Sequence, residues 1–365
     1  MSPRGALAER PCAPLRPDRR HAGPRSGTRL LAGIDEAGLG PILGPLAIGW
    51  SALRVPVPEN DPEEERASDP WKLLAPTVGK RPGKRARLLV ADSKRLFHQD
   101  RAGLRRLEGT ALCFLSLLEP GRRPVARAED VLFRSLRPAP SVLAAHPWYE
   151  RLPALPLVLE RASLELSVSL LERRMRARGV ELAGAGVRIV PSGELNASFA
   201  RTRNKGASTW DPVREVLLHL WERHGEEQPD VVVDMLGGRV RYGALLERAF
   251  GGTGNGTRAA ASVHVLVEGP QHSAYEIEAA GEGRSMRLAF RTKGEDASFC
   301  VALASCLAKY ARELVMHGFN AFFRAHDPGL RPTAGYTTDG RRWLREAGKA
   351  IEGAGVDRAL LVRQR

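Results

Sequence analysis

The sequence predicts an α/β fold, a sheet flanked by helices, on three observations. Short apolar runs such as Leu31–Ile34 and Val231–Val233 read as strands, and each ends in an aspartate with a glycine three residues later. Stretches with apolar residues at helical spacing alternate with these runs, the longest over 297–325. At 365 residues, 43% hydrophobic and 27% charged, the chain is long enough to bury a substantial core. There is no internal repeat.

Taken in order, residues 1–29 are rich in Pro and Arg and carry a net charge of +5. They lack an apolar signal core and read as a disordered basic tail. The first strand then delivers Asp35 and Glu36 into Ala37-Gly38-Leu39-Gly40-Pro41-Ile42-Leu43-Gly44-Pro45. Glycines there permit positive φ and close approach to a ligand, and the prolines stiffen the loop. Residues 46–53 read as a second strand, antiparallel to the first. Residues 54–86, rich in Pro and charge, read as a surface insertion. Leu88–Ala91 is a strand running into Asp92-Ser93-Lys94, which suits either a phosphate or a helix N-cap. Residues 111–118 read as a further strand.

A helix over 158–178 places Leu159, Ala162, Leu166, Ser169 or Leu170, and Met175 on one face. Residues 187–190 form a strand, 196–205 a polar stretch, and 210–221 a helix. Asp230–Asp234 is apolar on both faces, which places it in the middle of a covered sheet. Gly251-Gly252-Thr253-Gly254-Asn255-Gly256 matches no phosphate-loop spacing and reads as a linker. Strands at 261–267, 274–278 and 285–291 precede the long helix, where Ala302, Ser305 and Ala308 allow close packing on a sheet. A loop over 332–340 leads to one final helix.

The net charge of +14, with +9 beyond residue 29, favours a polyanionic partner such as nucleic acid. No apolar run reaches the length of a membrane span. Four cysteines, Cys12, Cys113, Cys300 and Cys306, make no C-x-x-C pair and no disulfide framework. A reducing cytoplasm, with no disulfide-linked partner, is the expectation.

Four acidic positions share one context, the end of an apolar strand: Asp35, Glu36, Asp234, and Glu295 or Asp296. Carboxylates about 4 Å apart repel by roughly 4 kcal/mol at an effective dielectric near 20, so a cluster of them calls for cations. All-oxygen ligands favour Mg²⁺ or Mn²⁺.

At this point the residues match a family. Gly33-Ile34-Asp35-Glu36-Ala37-Gly38-x-Gly40-Pro41-x-x-Gly44-Pro45 resembles the signature of type 2 ribonucleases H (ribonuclease HII-like). Asp92-Ser93-Lys94, the strand ending in Asp234, and Lys293-Gly294-Glu295 follow in that family's order, as do Ala304–Lys309 and Gly335-Tyr336-x-Thr338. The resemblance covers residues 30–53, 86–97 and 229–345. It implies a ribonuclease H-like mixed sheet flanked by helices, with a C-terminal helical part. Residues 30–365 would form this domain, with extra material around 54–86 and 101–190.

The resemblance also implies site roles. Asp35, Glu36, Asp234 and Glu295 would be catalytic metal ligands for two Mg²⁺ or Mn²⁺ ions in the substrate complex. Asp296 is the alternative fourth ligand, but it also suits the N-cap of the long helix. Gly38, Leu39, Gly40, Ser93, Lys94 and Lys293 would meet nucleic acid, and Tyr336 would lie under a ribose. Leu39 and Arg341 depart from the family's usual arginine and histidine. The expected activity is hydrolysis of the RNA strand in RNA–DNA hybrids or ribonucleotide-containing duplexes, leaving 5′-phosphate and 3′-hydroxyl ends. A nuclease of the same fold acting on structured or branched DNA, and a non-catalytic nucleic-acid-binding relative, are the alternatives.

Overall fold

The computed structural model describes residues 27–57, 68–82, 87–98, 100–119, 121, 124–203, 205–252, 260–281 and 283–364. The tail up to residue 26 and the segment 253–259, which holds most of the glycine-rich linker, lie outside the described residues.

A seven-stranded mixed sheet organises the chain. Its strands are β1 (Thr28–Ala37), β2 (Leu46–Pro56), β5 (Glu181–Val190), β6 (Asp230–Asp234), β7 (Ala261–Glu268), β8 (His272–Ala279) and β9 (Ser285–Arg291). A separate parallel pair, β3 (Val78–Gly79) and β4 (Leu88–Leu89), lies outside it. The order across the main sheet is β5-β2-β1-β6-β9-β8-β7. β2 runs antiparallel to both of its neighbours, β5 and β1, whereas β1, β6 and β9 run parallel at the centre. β6 therefore sits between two parallel neighbours, and Val231 and Val233 are buried, as its unbroken apolar run requires.

Alternation along the strands divides the core into two layers. Leu46, Ile48, Trp50 and Ala52 of β2 join Leu30, Ala32 and Ile34 of β1 on one face. That face is covered by α4 (Lys205–His224) and α5 (Gly243–Phe250). Ala47, Leu53 and Val55 turn to the other face, which is covered by α6 (Phe299–His326), α1 (Arg101–Ser116) and α2 (Arg161–Ala177).

The long helix α6 lies in backbone contact with the sheet. A Cβ on Gly33 would fall 2.2 Å from Val301 N, and one on Gly49 would fall 2.1 Å from Ala304 O. Ser51 Oγ donates to Cys300 O at 2.9 Å, which fixes the crossing point. The small residues foreseen on this helix do allow this approach: Ala302, Ser305 and Ala308 are all buried.

Several expectations give way. Residues 111–118 are not a strand: 111–116 are the end of α1, and 117–118 form the turn that follows. The run Ala111–Ser116 is buried without a break, and a short apolar run of that kind fits either state by pattern alone. On α2 the buried face is Leu164, Val168, Leu171 and Met175, and Leu166 is 52% exposed. The described part of 54–86 is not a surface excursion, since Trp71, Leu74 and Val78 are buried in the main core. The polar stretch 196–205 lies largely within helix α3 (Ser192–Thr202). The loop over 332–340 is shorter than expected. Thr337 already opens α7 (Thr337–Glu346), and a second helix, Gly348–Ala354, follows it.

Extra material between β4 and β5 is held by one buried acid. Glu108 of α1 accepts the backbone N–H groups of Leu157, Val158 and Leu159 and the Tyr310 hydroxyl of α6. A carboxylate with no exposed surface and four donors is well satisfied, and it ties that connection into the helical layer. Cys113, Cys300 and Cys306 are free and buried, so they pack rather than pair. No described helix is long and apolar enough to cross a membrane.

Candidate metal centre

The register brings the acids together. Ile34 of β1 pairs with Val233 of β6 in parallel, so Asp35 and Asp234 leave adjacent strands one residue further on. Carboxyl ends of neighbouring parallel strands are where open α/β sheets present ligands. One oxygen from each of Asp35, Glu36 and Asp234 lies within 4.8 Å of the other two. Glu36 Oε2 and Glu295 Oε2 are buried without a hydrogen-bond partner. Glu295 stands on the short turn Gly294–Ala297, outside that trio but near enough for the Asp234 charge to act on its carboxyl.

Asp296, the alternative fourth ligand, points elsewhere. Its two oxygens take a bidentate pair from Arg95, at 2.7 and 3.1 Å. Its expected cap role also falls to another residue, since Ser298 caps α6. Lys80 donates to Asp296 O at 3.1 Å while sitting 3.6 Å over the Trp71 ring. The segment read as an insertion thus braces the turn that carries Glu295. Glu295→Gln is expected to weaken Mn²⁺ binding by on the order of 10-fold or more, and Asp296→Asn by less than about threefold, because its ion pair is exposed. Mn²⁺ titrations of the two variants would reverse in order if Asp296 were the ligand.

The electrostatics are those of crowded, buried carboxylates. Burial, followed by the charges of Glu36 and Asp234, holds the Asp35 carboxyl well above the usual range, although hydrogen bonds from Ser305 and the Glu36 N–H oppose this. Burial and then the Asp234 charge push Glu36 up to about 7, with Lys94 opposing. Asp234 and Glu295 are raised as well, burial leading in both, while the Gly294 N–H at 2.9 Å steadies Asp234. An oxygen-only donor set, with two buried carboxylate oxygens left unpaired, fits a hard divalent cation.

The remaining expected residues differ in exposure and contacts. Lys94 is exposed, and although burial works against its charge, Asp92, Asp35, Glu295 and Glu36 raise its pKa. Ser93 is buried instead, with its Oγ 3.0 Å from Ser305 Oγ and its N–H directed to the same hydroxyl at 3.3 Å. Asp92 caps the short helix Ser93–Leu96, as the N-cap alternative required. Lys293 is exposed with φ +54. Leu39 is 48% exposed, and Tyr336 is 40% exposed with Lys309 Nζ 5.9 Å from its ring.

The glycine loop and the Tyr336 loop are locked together. Gly335 O accepts the N–H groups of Ile42 and Leu43 at 2.8 and 3.2 Å. Arg312, fully buried on α6, donates to Pro45 O at 2.7 Å and to Leu43 O and Ala334 O at 3.0 Å. Sequence reasoning passed over Arg312 and the role of Ser305. Their positions seven residues apart on one helix are visible in the sequence, but their partners are not.

No protein-family model matches the chain, and a search of curated proteins finds no match. Solved structures do resemble it. Ribonuclease HII of Archaeoglobus fulgidus, solved in complex with PCNA, is 15% identical over 92% of this chain and 94% of its own, with a TM-score of 0.37. Ribonuclease H2 of Pyrococcus horikoshii OT3 is 14% identical over 91% and 92%, with a TM-score of 0.36. Bst-RNase HIII in complex with Mn²⁺ is 11% identical over 92% and 67%, with a TM-score of 0.38. The fold is a mixed sheet flanked by helices: β2 runs antiparallel to both β5 and β1, and β1 is continued by parallel β6 and β9.

Proposed function

We propose that the chain is a divalent-metal-dependent endonuclease that hydrolyses the RNA strand of RNA–DNA hybrids, leaving 5′-phosphate and 3′-hydroxyl ends. The observation that carries this reading is the convergence of Asp35, Glu36 and Asp234 oxygens within 4.8 Å, with Glu295 close enough to feel the Asp234 charge. Two Mg²⁺ or Mn²⁺ ions bound there would supply Lewis-acid activation of water and neutralise charge at the leaving 3′ oxygen. Asp35 and Asp234 hold the cluster from adjacent strands, and Glu36 and Glu295 close it with oxygens that otherwise stay unpaired.

Lys94 brings a positive charge to where the scissile phosphate would approach. The Gly38–Gly40 backbone and Leu39 face the duplex, Lys293 meets a neighbouring phosphate, and the Tyr336 ring offers a flat surface for a ribose. Ser93 acts behind them, by holding Ser305 against Asp35. The 2′-hydroxyl is the group by which such a site separates RNA from DNA. The positive charge of the whole chain favours a polyanion.

The test is cleavage of an end-labelled RNA–DNA hybrid and of a duplex with one embedded ribonucleotide, in Mg²⁺ or Mn²⁺. Cleavage on the RNA strand, abolished by EDTA, is the expected result. Folded wild-type protein inactive on both substrates would end this reading. The exposed Leu39 favours a second one: preference for branched DNA over hybrid in the same assay would assign the site to DNA. Binding of hybrid without cleavage, unaffected by metal, would leave a nucleic-acid-binding relative.

A further inference from the structure

The loop that follows Glu36 rests on a distant part of the chain, residues 358–364. Val362 forms an antiparallel bridge with Leu43, and Arg363 N donates to Ile42 O at 2.9 Å. The Arg363 side chain, 8% exposed, then spans the loop: Nε donates to Gly44 O at 2.7 Å and Nη1 donates to Gly38 O. Gly38 and Gly44 both adopt positive φ, +93 and +80, so the fork of one guanidinium fixes the two positions where the loop bends.

The segment is itself fastened to α3. Asn196 Nδ2 donates to Ala359 O and Val362 O, both at 2.8 Å, and Asn196 Oδ1 accepts the Gln364 N–H at 2.8 Å. With the carbonyls of Gly38 and Gly44 drawn inward, Leu39 and Gly40 face out, whereas Pro41, Ile42 and Leu43 are buried. Leu39 is 48% exposed, and a Cβ on Gly40 would meet nothing within 4 Å. A glycine-rich loop has much conformational freedom to lose, and a loop ordered in advance binds more tightly for the same contacts.

We propose that Arg363 is a positioning residue and that residues 358–364 act as a strap, setting the 38–45 loop in its substrate-ready conformation. Substrate affinity, rather than metal binding or the chemical step, then depends on the strap. The proposal rests on the reading of this loop as facing nucleic acid, but the strap itself is measurable without substrate.

Three variants test it: Arg363→Gln, which removes the fork; Arg363→Lys, which keeps the charge but cannot reach both carbonyls; and Asn196→Ala, which loosens the strap without touching the loop. Hydrogen exchange of the metal-free protein is expected to quicken at least tenfold at amides 38–44 in R363Q and N196A, with β1 and β6 unchanged. On hybrid substrate KM is expected to rise five- to tenfold in R363Q and less in R363K, with kcat and Mn²⁺ affinity within twofold of wild type.

Unchanged exchange at 38–44 overturns the strap, as does a loss of kcat or Mn²⁺ affinity equal to the rise in KM. Should R363Q fail to fold, R363K and N196A decide by the same measurements. Wild-type inactivity on hybrids would remove the nuclease reading alone, and exchange would still decide the strap.

Discussion

Asp35→Asn is expected to lower hydrolysis by on the order of 10³-fold or more while raising the melting temperature of the metal-free protein. The two effects have one cause. Asp35 is buried beside Glu36 and Asp234, and burial together with like charge holds its carboxyl well above the usual range. A carboxyl raised in the folded state binds protons more readily folded than unfolded, so it opposes folding once pH exceeds its ordinary value. That opposition fades as pH falls through the folded-state pKa, which for the neighbouring Glu36 is about 7.

Asparagine keeps the shape and the bond from the Glu36 N–H but removes one charge from the cluster. The gain in stability should therefore be largest near pH 8 and shrink towards pH 5. Mg²⁺ should stabilise the wild type and do much less for the variant. Thermal melts in EDTA and in Mg²⁺ at both pH values check this. A variant that melts below wild type at pH 8 in EDTA would show that the cluster is not repulsive.

Gly49→Ala should cost roughly 3 kcal/mol or more, a fall in melting temperature on the order of 6–10 °C. The added carbon would stand 2.1 Å from Ala304 O and 3.0 Å from Ala308 N, and neither is the end of a flexible side chain. The α6 helix would have to lift off β2, carrying Ser305 away from Asp35, so activity should fall more than stability alone explains. Gly109→Ala is the contrast. It lies inside α1, and the nearest atom to its new Cβ would be Leu159 Cδ1 at an ordinary 3.5 Å. There the usual preference of helices for alanine should show as a gain of about 0.5–1 kcal/mol. Paired denaturation curves measure both, and equal effects would contradict the flush contact between α6 and the sheet.

What the sequence made legible follows from how local each cause is. β1 and β6 were readable because an apolar run ending in a carboxylate is a local pattern, and the α/β fold followed from its alternation with helices. Residues 111–118 were not, because most of the run, 111–116, is buried on all sides and has no period to read; Glu108 and Thr110, polar but fully buried, disguise the middle of the same helix. On α2 leucines populate both faces, so spacing alone chose the wrong one. In the site, Asp35, Glu36 and Asp234 were visible as strand ends. Ser305, Arg312 and Arg363 take their meaning from partners 267 to 325 residues away or on another layer, which no spacing rule reaches.

The position of β6 also orders events in time. Asp234 comes 199 residues after Asp35, and its strand must slot between β1 and β9 before their carboxylates meet. Contacts of such long sequence separation form slowly, since the intervening chain must be closed into a loop first. High-affinity capture of a divalent ion should thus be among the last properties to appear during refolding. Its rate of onset would report when the central strand has entered the sheet.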